Sequence, residues 1–213
     1  FRALRGHRPI VGSFLADINA MVFGMPQALF PAIAKQRFPD HPTFYGLMVA
    51  SIPFGMFTAT IFSGWTRNVT RHGLVVVSSI TIWGVAIAFF GAVDGMILSS
   101  LCLAVAGAAD MISGVSRNAM LQLSASPELQ GRMQGVGMAV WTSGPALGDL
   151  EASGLAALTS IDISVFFGGV ACVLGIGVIA AAIPEFTLFR AFAKTDVAAD
   201  AGLVSLPSAI PSE

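Results

Sequence analysis

The sequence predicts an all-α integral membrane protein with six transmembrane helices, and three observations carry that prediction. Of the 213 residues, 55% are hydrophobic and only 11% charged, against about 25% charged in ordinary soluble domains. The 23 glycines are spread through the apolar runs rather than gathered in loops, as they are in membrane helices. Six segments approach the roughly 20 apolar residues that cross a hydrocarbon core, and none shows the period-2 alternation of a membrane barrel. The mean hydropathy of +0.79 agrees.

The expected spans are residues 10–35, 44–65, 74–90, 96–121, 133–158 and 163–183. The first ends at QRFPDHPT, whose two prolines stop a helix. RNVTRHG divides the second from the third, which is short by itself and draws on its flanking glycines. GAVDG turns the chain into the fourth span, and TSID joins the fifth to the sixth. Residues 1–9 read as a cytoplasmic linker and 10–184 as the transmembrane domain. Residues 185–213, rich in Ala, Asp, Ser and Pro, read as a cytoplasmic and largely disordered tail. The chain opens FRALRGHR without an initiator methionine, so it is expected to be a fragment of a longer chain or one missing its start.

Lysine and arginine placement orients the spans. With the amino end inside, nine of the eleven basic residues fall in inner segments, and only Lys35 and Arg37 fall outside. The outer turns carry Asp40, Asp94 and Asp162 instead. Both termini are therefore expected in the cytoplasm. A net charge of -1 gives no attraction to nucleic acid. Cys102 and Cys172 sit inside apolar runs as packing thiols, and the three histidines have no ligand spacing. With no Ser/His/Asp set, HExxH, Walker loop or CxxC, no enzyme, metal or cofactor is expected.

The informative residues are the acids within the spans. A charge at the bilayer centre costs about 2.5–3.5 kcal/mol on insertion scales, so such groups face a cavity or a partner. Asp17, beside Asn19 and ahead of Pro26 and Pro31, reads either as a cavity-lining proton or substrate group or as a buried acid paired with a basic residue. Asp110 and Arg117 are seven apart, two turns along one helical face, which suits a charge network near the cytoplasmic end. Asp149 and Glu151 point to different sides of a helix, within a run where Pro145 lies between Gly144 and Gly148. That run reads as a close-packing face, a kinked gating helix, or both. The second span repeats Ser51, Gly55, Ala59 and Ser63 at every fourth position, a packing stripe that also holds Pro53.

Two polar turns carry a resemblance. GWTRNVTRHG, with Gly64, Arg67, Arg71 and Gly73, resembles the cytoplasmic signature loop of the major facilitator superfamily, with Thr66 near the place of its aspartate. RNAMLQLSASPELQGRMQG, through Leu121, Gln122, Pro127, Glu128, Gly131 and Arg132, is similar to the loop between helices ten and eleven in the enterobactin-exporter and multidrug-efflux branch. FLADINAMVFGMPQALFP and LGDLEASG look like that branch too. The resemblance covers residues 1–190. It implies the carboxy-terminal six-helix half, a 3+3 inverted repeat, of a twelve-helix transporter.

The expectation is then proton-driven export of a small amphiphilic molecule, such as a drug or siderophore, by alternating access across the cell membrane. Its partners would be substrate, protons, the bilayer, and either an amino-terminal half or a second half copy. Asp17, Asn19, Asp149 and Glu151 are candidates for the substrate or proton pathway. Arg67, Arg71, Asp110, Arg117, Glu128 and Arg132 are candidates for a cytoplasmic charge network. The alternative is a half-size, non-transporting scaffold or partner subunit.

Overall fold

A computed structural model describes residues 8–62, 64, 69–124 and 127–189, and every regular element among them is helical. The order is α1 (Arg8–Phe23), α2 (Phe30–Arg37), α3 (Phe44–Phe62), α4 (His72–Ala92), α5 (Met96–Ser124), α6 (Pro127–Leu158), α7 (Ile161–Ala182) and the single turn α8 (Pro184–Thr187). Five stretches are long and apolar enough to cross a membrane by length and composition: Arg8–Arg37, which takes in α1 and α2, then α3, α4, α5 and α7. The remaining expected span, the fifth, lies in α6. With 32 residues it reaches about 48 Å at 1.5 Å per residue, ample for crossing, but Gln134, Asp149 and Glu151 dilute its apolar run.

The first expected span is not one helix. Between α1 and α2 the chain opens at Gly24–Pro26 and continues through a 3₁₀ turn, Gln27–Leu29. Proline lacks the N–H that an unbroken helix would use at position 26. A straight helix would also pair the Gly24 carbonyl with the Ala28 amide. Both groups find side chains instead: Trp83 Nε1 of α4 donates to Gly24 O at 2.9 Å, and Ala28 N donates to Asp149 Oδ1 of α6 at 2.9 Å. A broken helix persists at membrane depth only where neighbours satisfy its freed backbone groups, and here they do. Pro53 and Pro145, by contrast, lie inside α3 and α6 without dividing them.

The helices pack through small residues. α4 lies between α5 and α7, α3 covers the outer side of α5, and α1 packs on α6 and α7. A Cβ on Gly55 of α3 would overlap the backbone of Ala104, and one on Gly107 of α5 would overlap Ile52, so these two helices meet backbone to backbone. The expected stripe of α3 is thus seated at Ser51 and Gly55; Ser63 lies outside the described residues. Gly144 and Gly148 of α6 rest on Met21 of α1, where a Cβ on Gly148 would strike the Met21 carbonyl. Large apolar side chains face outward, Phe54, Phe57 and Phe62 on α3 and Leu174 and Val178 on α7 among them. Contiguous exposed apolar faces of this kind belong against lipid or another helix.

Two expected boundaries move. α5 runs to Ser124 and α6 starts at Pro127, so most of the polar stretch 116–135 is helical. After Pro184 the chain does not become a tail at once. Phe186 of α8 is fully buried, seated where Gly12 of α1 and Gly73 of α4 leave room for it. Glu185 beside it pairs with Arg8 at 2.8 Å. One apolar ring with a prepared socket outweighs the polar composition around it. Residues 190–213 and 1–7 lie outside the described residues.

Candidate functional site

Asp17 stands in mid-α1, 5% exposed. Its carboxylate forms an ion pair with Arg117 of α5 through Nη1 and accepts a hydrogen bond from Trp141 Nε1 of α6 at 2.9 Å. Nη2 of the same guanidinium lies 3.9 Å from Asp110 Oδ1, two turns earlier on the same face of α5. One arginine therefore extends a hand to each of two carboxylates. The side chain of Asp17 is 7% exposed and that of Asp110 is 43% exposed, so the two acids differ sharply in access. α1, α5 and α6 each contribute one element of the group, and no two of them alone would assemble it.

A cavity of about 70 Å³ adjoins this cluster, lined by Phe14 and Asp17 of α1, Arg117 and Asn118 of α5, and Gln134 and Trp141 of α6. It is mostly apolar. A second, much smaller space of about 10 Å³ lies on the other side of Asp17, bounded by Ser79, Asp110, Ser113 and Arg117. The cluster thus borders both spaces, with Asp17 and Arg117 lining each of them.

The other candidates disperse. Asn19, two residues from Asp17, faces the opposite way: its Nδ2 donates to the Cys172 carbonyl of α7 at 2.9 Å, against Gly175, where any Cβ would collide with it. It is a buried packing anchor between α1 and α7, and not a neighbour of Asp17 in space. Asp149 serves the break in the first span and also lines a separate cavity of about 420 Å³ with Gln27, Tyr45 and Pro53. Glu151 is half-buried on another side of α6 and makes no hydrogen bond or ion pair with the described residues. Of the six expected network residues, the structure joins Asp110 and Arg117. Arg71 and Arg132 are exposed and unpaired among the described residues, while Arg67 and the side chain of Glu128 lie outside them.

Several functional groups were not singled out by sequence reasoning. Trp83 and Trp141 went unnamed, though each carries one N–H donor that seeks a partner away from water. Arg37 was counted only as an outer positive charge. Its side chain is 5% exposed. Nη1 donates to the carbonyls of Phe90 and Val93 at 2.9 and 2.6 Å, Nη2 to Gly91 O at 2.7 Å and to Asp162, and Nε to Asp162 Oδ1 at 3.0 Å. All five donors of the guanidinium are used, binding the end of α2 to the last carbonyls of α4 and the start of α7. The signal was present in principle: orphan carbonyls at a helix C-terminus invite a cation.

Comparison with known proteins agrees with this architecture. A family model described as a transmembrane secretion effector matches residues 14–201. The enterobactin exporter EntS of Shigella flexneri is 29% identical over 150 residues, which cover 70% of this chain and 35% of that protein. EntS of Escherichia coli O1:K1 / APEC is 29% identical over 152 residues, 70% of this chain and 36% of its own. EntS of Salmonella paratyphi A is 28% identical over 196 residues, 91% of this chain and 46% of its own. The chain thus spans between a third and a half of the length of the curated relatives it matches. No solved structure matches.

Proposed function

Since the chain belongs to the transmembrane secretion effector family of the major facilitator superfamily, and is on that ground a multi-pass membrane transporter and not an enzyme, we propose that it forms the carboxy-terminal six-helix half of a proton-driven exporter of a small amphiphilic molecule. In this reading α6 also crosses the membrane, as the fifth of six spans. The five most extensive helix pairings support a 3+3 repeat, because exchanging α1, α3 and α4 with α5, α6 and α7 maps that set onto itself. The pairing of α4 with α5 becomes that of α7 with α1, α3 with α5 becomes α6 with α1, and α4 with α7 is unchanged. That is the pattern an inverted repeat generates.

The observation that carries the function is the buried pair of Asp17 and Arg117 beside a cavity. A charge this deep in an apolar span is expensive and marks an ion or substrate pathway by default. Protonating Asp17 releases Arg117, and Arg117 has a second acid, Asp110, within reach. The pair therefore offers two arrangements selected by one proton, which is what coupling a proton to alternating access requires. The break between α1 and α2, held by Asp149 and Trp83, supplies a place where the first span can bend. An amino-terminal half would complete the cavity wall. The relatives' printed name makes a catechol siderophore one candidate cargo among amphiphiles, and both termini face the cytoplasm by the positive-inside bias.

The test is proton-driven efflux by the full-length parent in proteoliposomes with Asp17→Asn. Loss of drive by a pH gradient, with substrate exchange retained, is the expected result. Unchanged, fully coupled transport removes Asp17 from the proton pathway.

A further inference from the structure

The small space next to Asp17 has the size and the polar groups of an internal water site. It measures about 10 Å³; Asp17 of α1, Ser79 of α4, and Asp110, Ser113 and Arg117 of α5 bring polar groups to a wall that apolar side chains complete. A single water needs roughly that much room and two to four polar partners. Two of the bounding residues have polar atoms that are buried with no hydrogen-bond partner among the described residues, Ser113 Oγ and Arg117 Nε. Ser113 is 2% exposed. Its hydroxyl, like those of Ser99 and Ser124 on the same helix, lacks the common partner in an apolar span, a carbonyl one turn back; of the three, Ser113 is the one that borders this space. Ser51, Thr81 and Ser100 all make that bond, at 2.7, 2.8 and 2.9 Å.

We infer that this space holds one water that links Asp110 to Asp17 and serves as the proton relay between the more accessible acid and the buried one. The step balances without any further reactant. A proton on the Asp110 carboxyl passes to the water, and the water gives its other proton to the Asp17 carboxylate. Asp110 is left as the anion and Asp17 as the neutral acid, and Arg117 transfers its pairing from the first hand to the second. Ser113 is a positioning residue, orienting the water without gaining or losing a proton. The charged groups that face Asp17 are Arg117 and Asp110, both from α5. α4 presents Ser79 and Trp83, and α6 presents Trp141, none of which carries charge.

This inference rests on Asp17 being the coupling acid, and the experiment separates the two. The full-length parent is reconstituted with Asp110→Asn, Ser113→Val or Asp17→Asn, and both proton-driven efflux and equilibrium substrate exchange are measured across a range of pH. Asp110→Asn breaks the relay, and Ser113→Val fills the space and removes the orienting hydroxyl. Both are expected to slow proton-driven efflux about tenfold or more, the low end of what a positioned proton-transfer group contributes, with exchange within about twofold of the parent rate. Exchange also reports that each variant is folded. If Asp17→Asn uncouples transport while both other variants keep the parent rate and pH profile, the relay is overturned and the role of Asp17 stands. If Asp17→Asn leaves coupling intact, both fall.

Discussion

At the scale of the residue, the charge cluster makes unequal demands on its members. Asp17→Asn leaves Arg117 with Asp110 still at hand, 3.9 Å away in the present arrangement. Arg117→Met leaves two carboxylates, one of them deeply buried, with no cation. Removing one partner of a buried pair costs about 3–5 kcal/mol when nothing replaces it. Arg117→Met should therefore approach that figure and Asp17→Asn fall clearly below it, a ranking that thermal unfolding of the detergent-solubilised protein reads directly. Equal losses would mean that Asp110 does not take over the guanidinium. A second contrast lies at the end of the chain that the structure describes. Arg8 hydrogen-bonds Glu185 and holds its carboxyl below the usual carboxylate range, so whatever the pair contributes is present at neutral pH and lost as pH falls through that lowered value. Both side chains are largely exposed, however, and exposed pairs contribute little. Phe186 is fully buried, and truncating a buried Phe costs about 3–5 kcal/mol. Phe186→Ala should lower the melting temperature strongly and independently of pH, whereas Glu185→Gln should barely move it.

At the scale of the element, the first span shows how a break is held. Asp149 and Trp83 replace a single backbone hydrogen bond, the one between Gly24 and Ala28, with two from side chains. Asp149→Ala removes the hydrogen bond to the exposed Ala28 amide, worth about 0.5–1.5 kcal/mol, while Asp149→Asn keeps an acceptor oxygen. A larger loss of stability for the alanine variant than for the asparagine variant is expected; equal losses would point to the charge and not the cap. The packing of α3 on α5 has a similarly direct test. Gly55→Leu places a side chain on the Ala104 backbone, an overpacking that costs about 1–3 kcal/mol, whereas Gly46→Ala meets nothing and should be neutral.

These elements also mark how far the sequence could be read. α4, α5 and α7 were legible because continuous apolar runs need no partner information. Asp17, Asp110 and Arg117 were legible because charge inside such a run is costly wherever it occurs, and a spacing of seven places two residues on one face. What the run of letters did not carry was pairing at long range. Trp141 meets Asp17 across 124 residues and Asp149 meets Ala28 across 121, so neither the orientation of Asp17 nor the capping role of Asp149 could be read locally. Asn19 shows the converse: adjacency to Asp17 in sequence suggested a shared cavity, and helical geometry sends residues two apart to different neighbours.

At the scale of the whole molecule, the position of the charge cluster along the membrane normal turns on orientation. The cavity beside Asp17 is lined by the first half of α1, the later turns of α5 and the first half of α6, toward the end at which α8 docks on Gly12 and Gly73. Arg37 and Asp162 bind the opposite end. In the orientation proposed from the positive-inside bias, the cavity mouth would face the cytoplasm and the Arg37 clasp the outer side. Cys102 and Cys172 sit within the helices, half-buried and buried, and can be replaced to give a background free of thiols. Single cysteines at His41 and at Glu185, both exposed, then report the two ends. A membrane-impermeant thiol reagent added to intact cells should label position 41 and reach position 185 only after the membrane is opened. The reverse pattern would put the Asp17 cavity on the outer side. Protons would then reach Asp17 through that cavity from outside, and Arg37 would clasp the cytoplasmic ends of α2, α4 and α7.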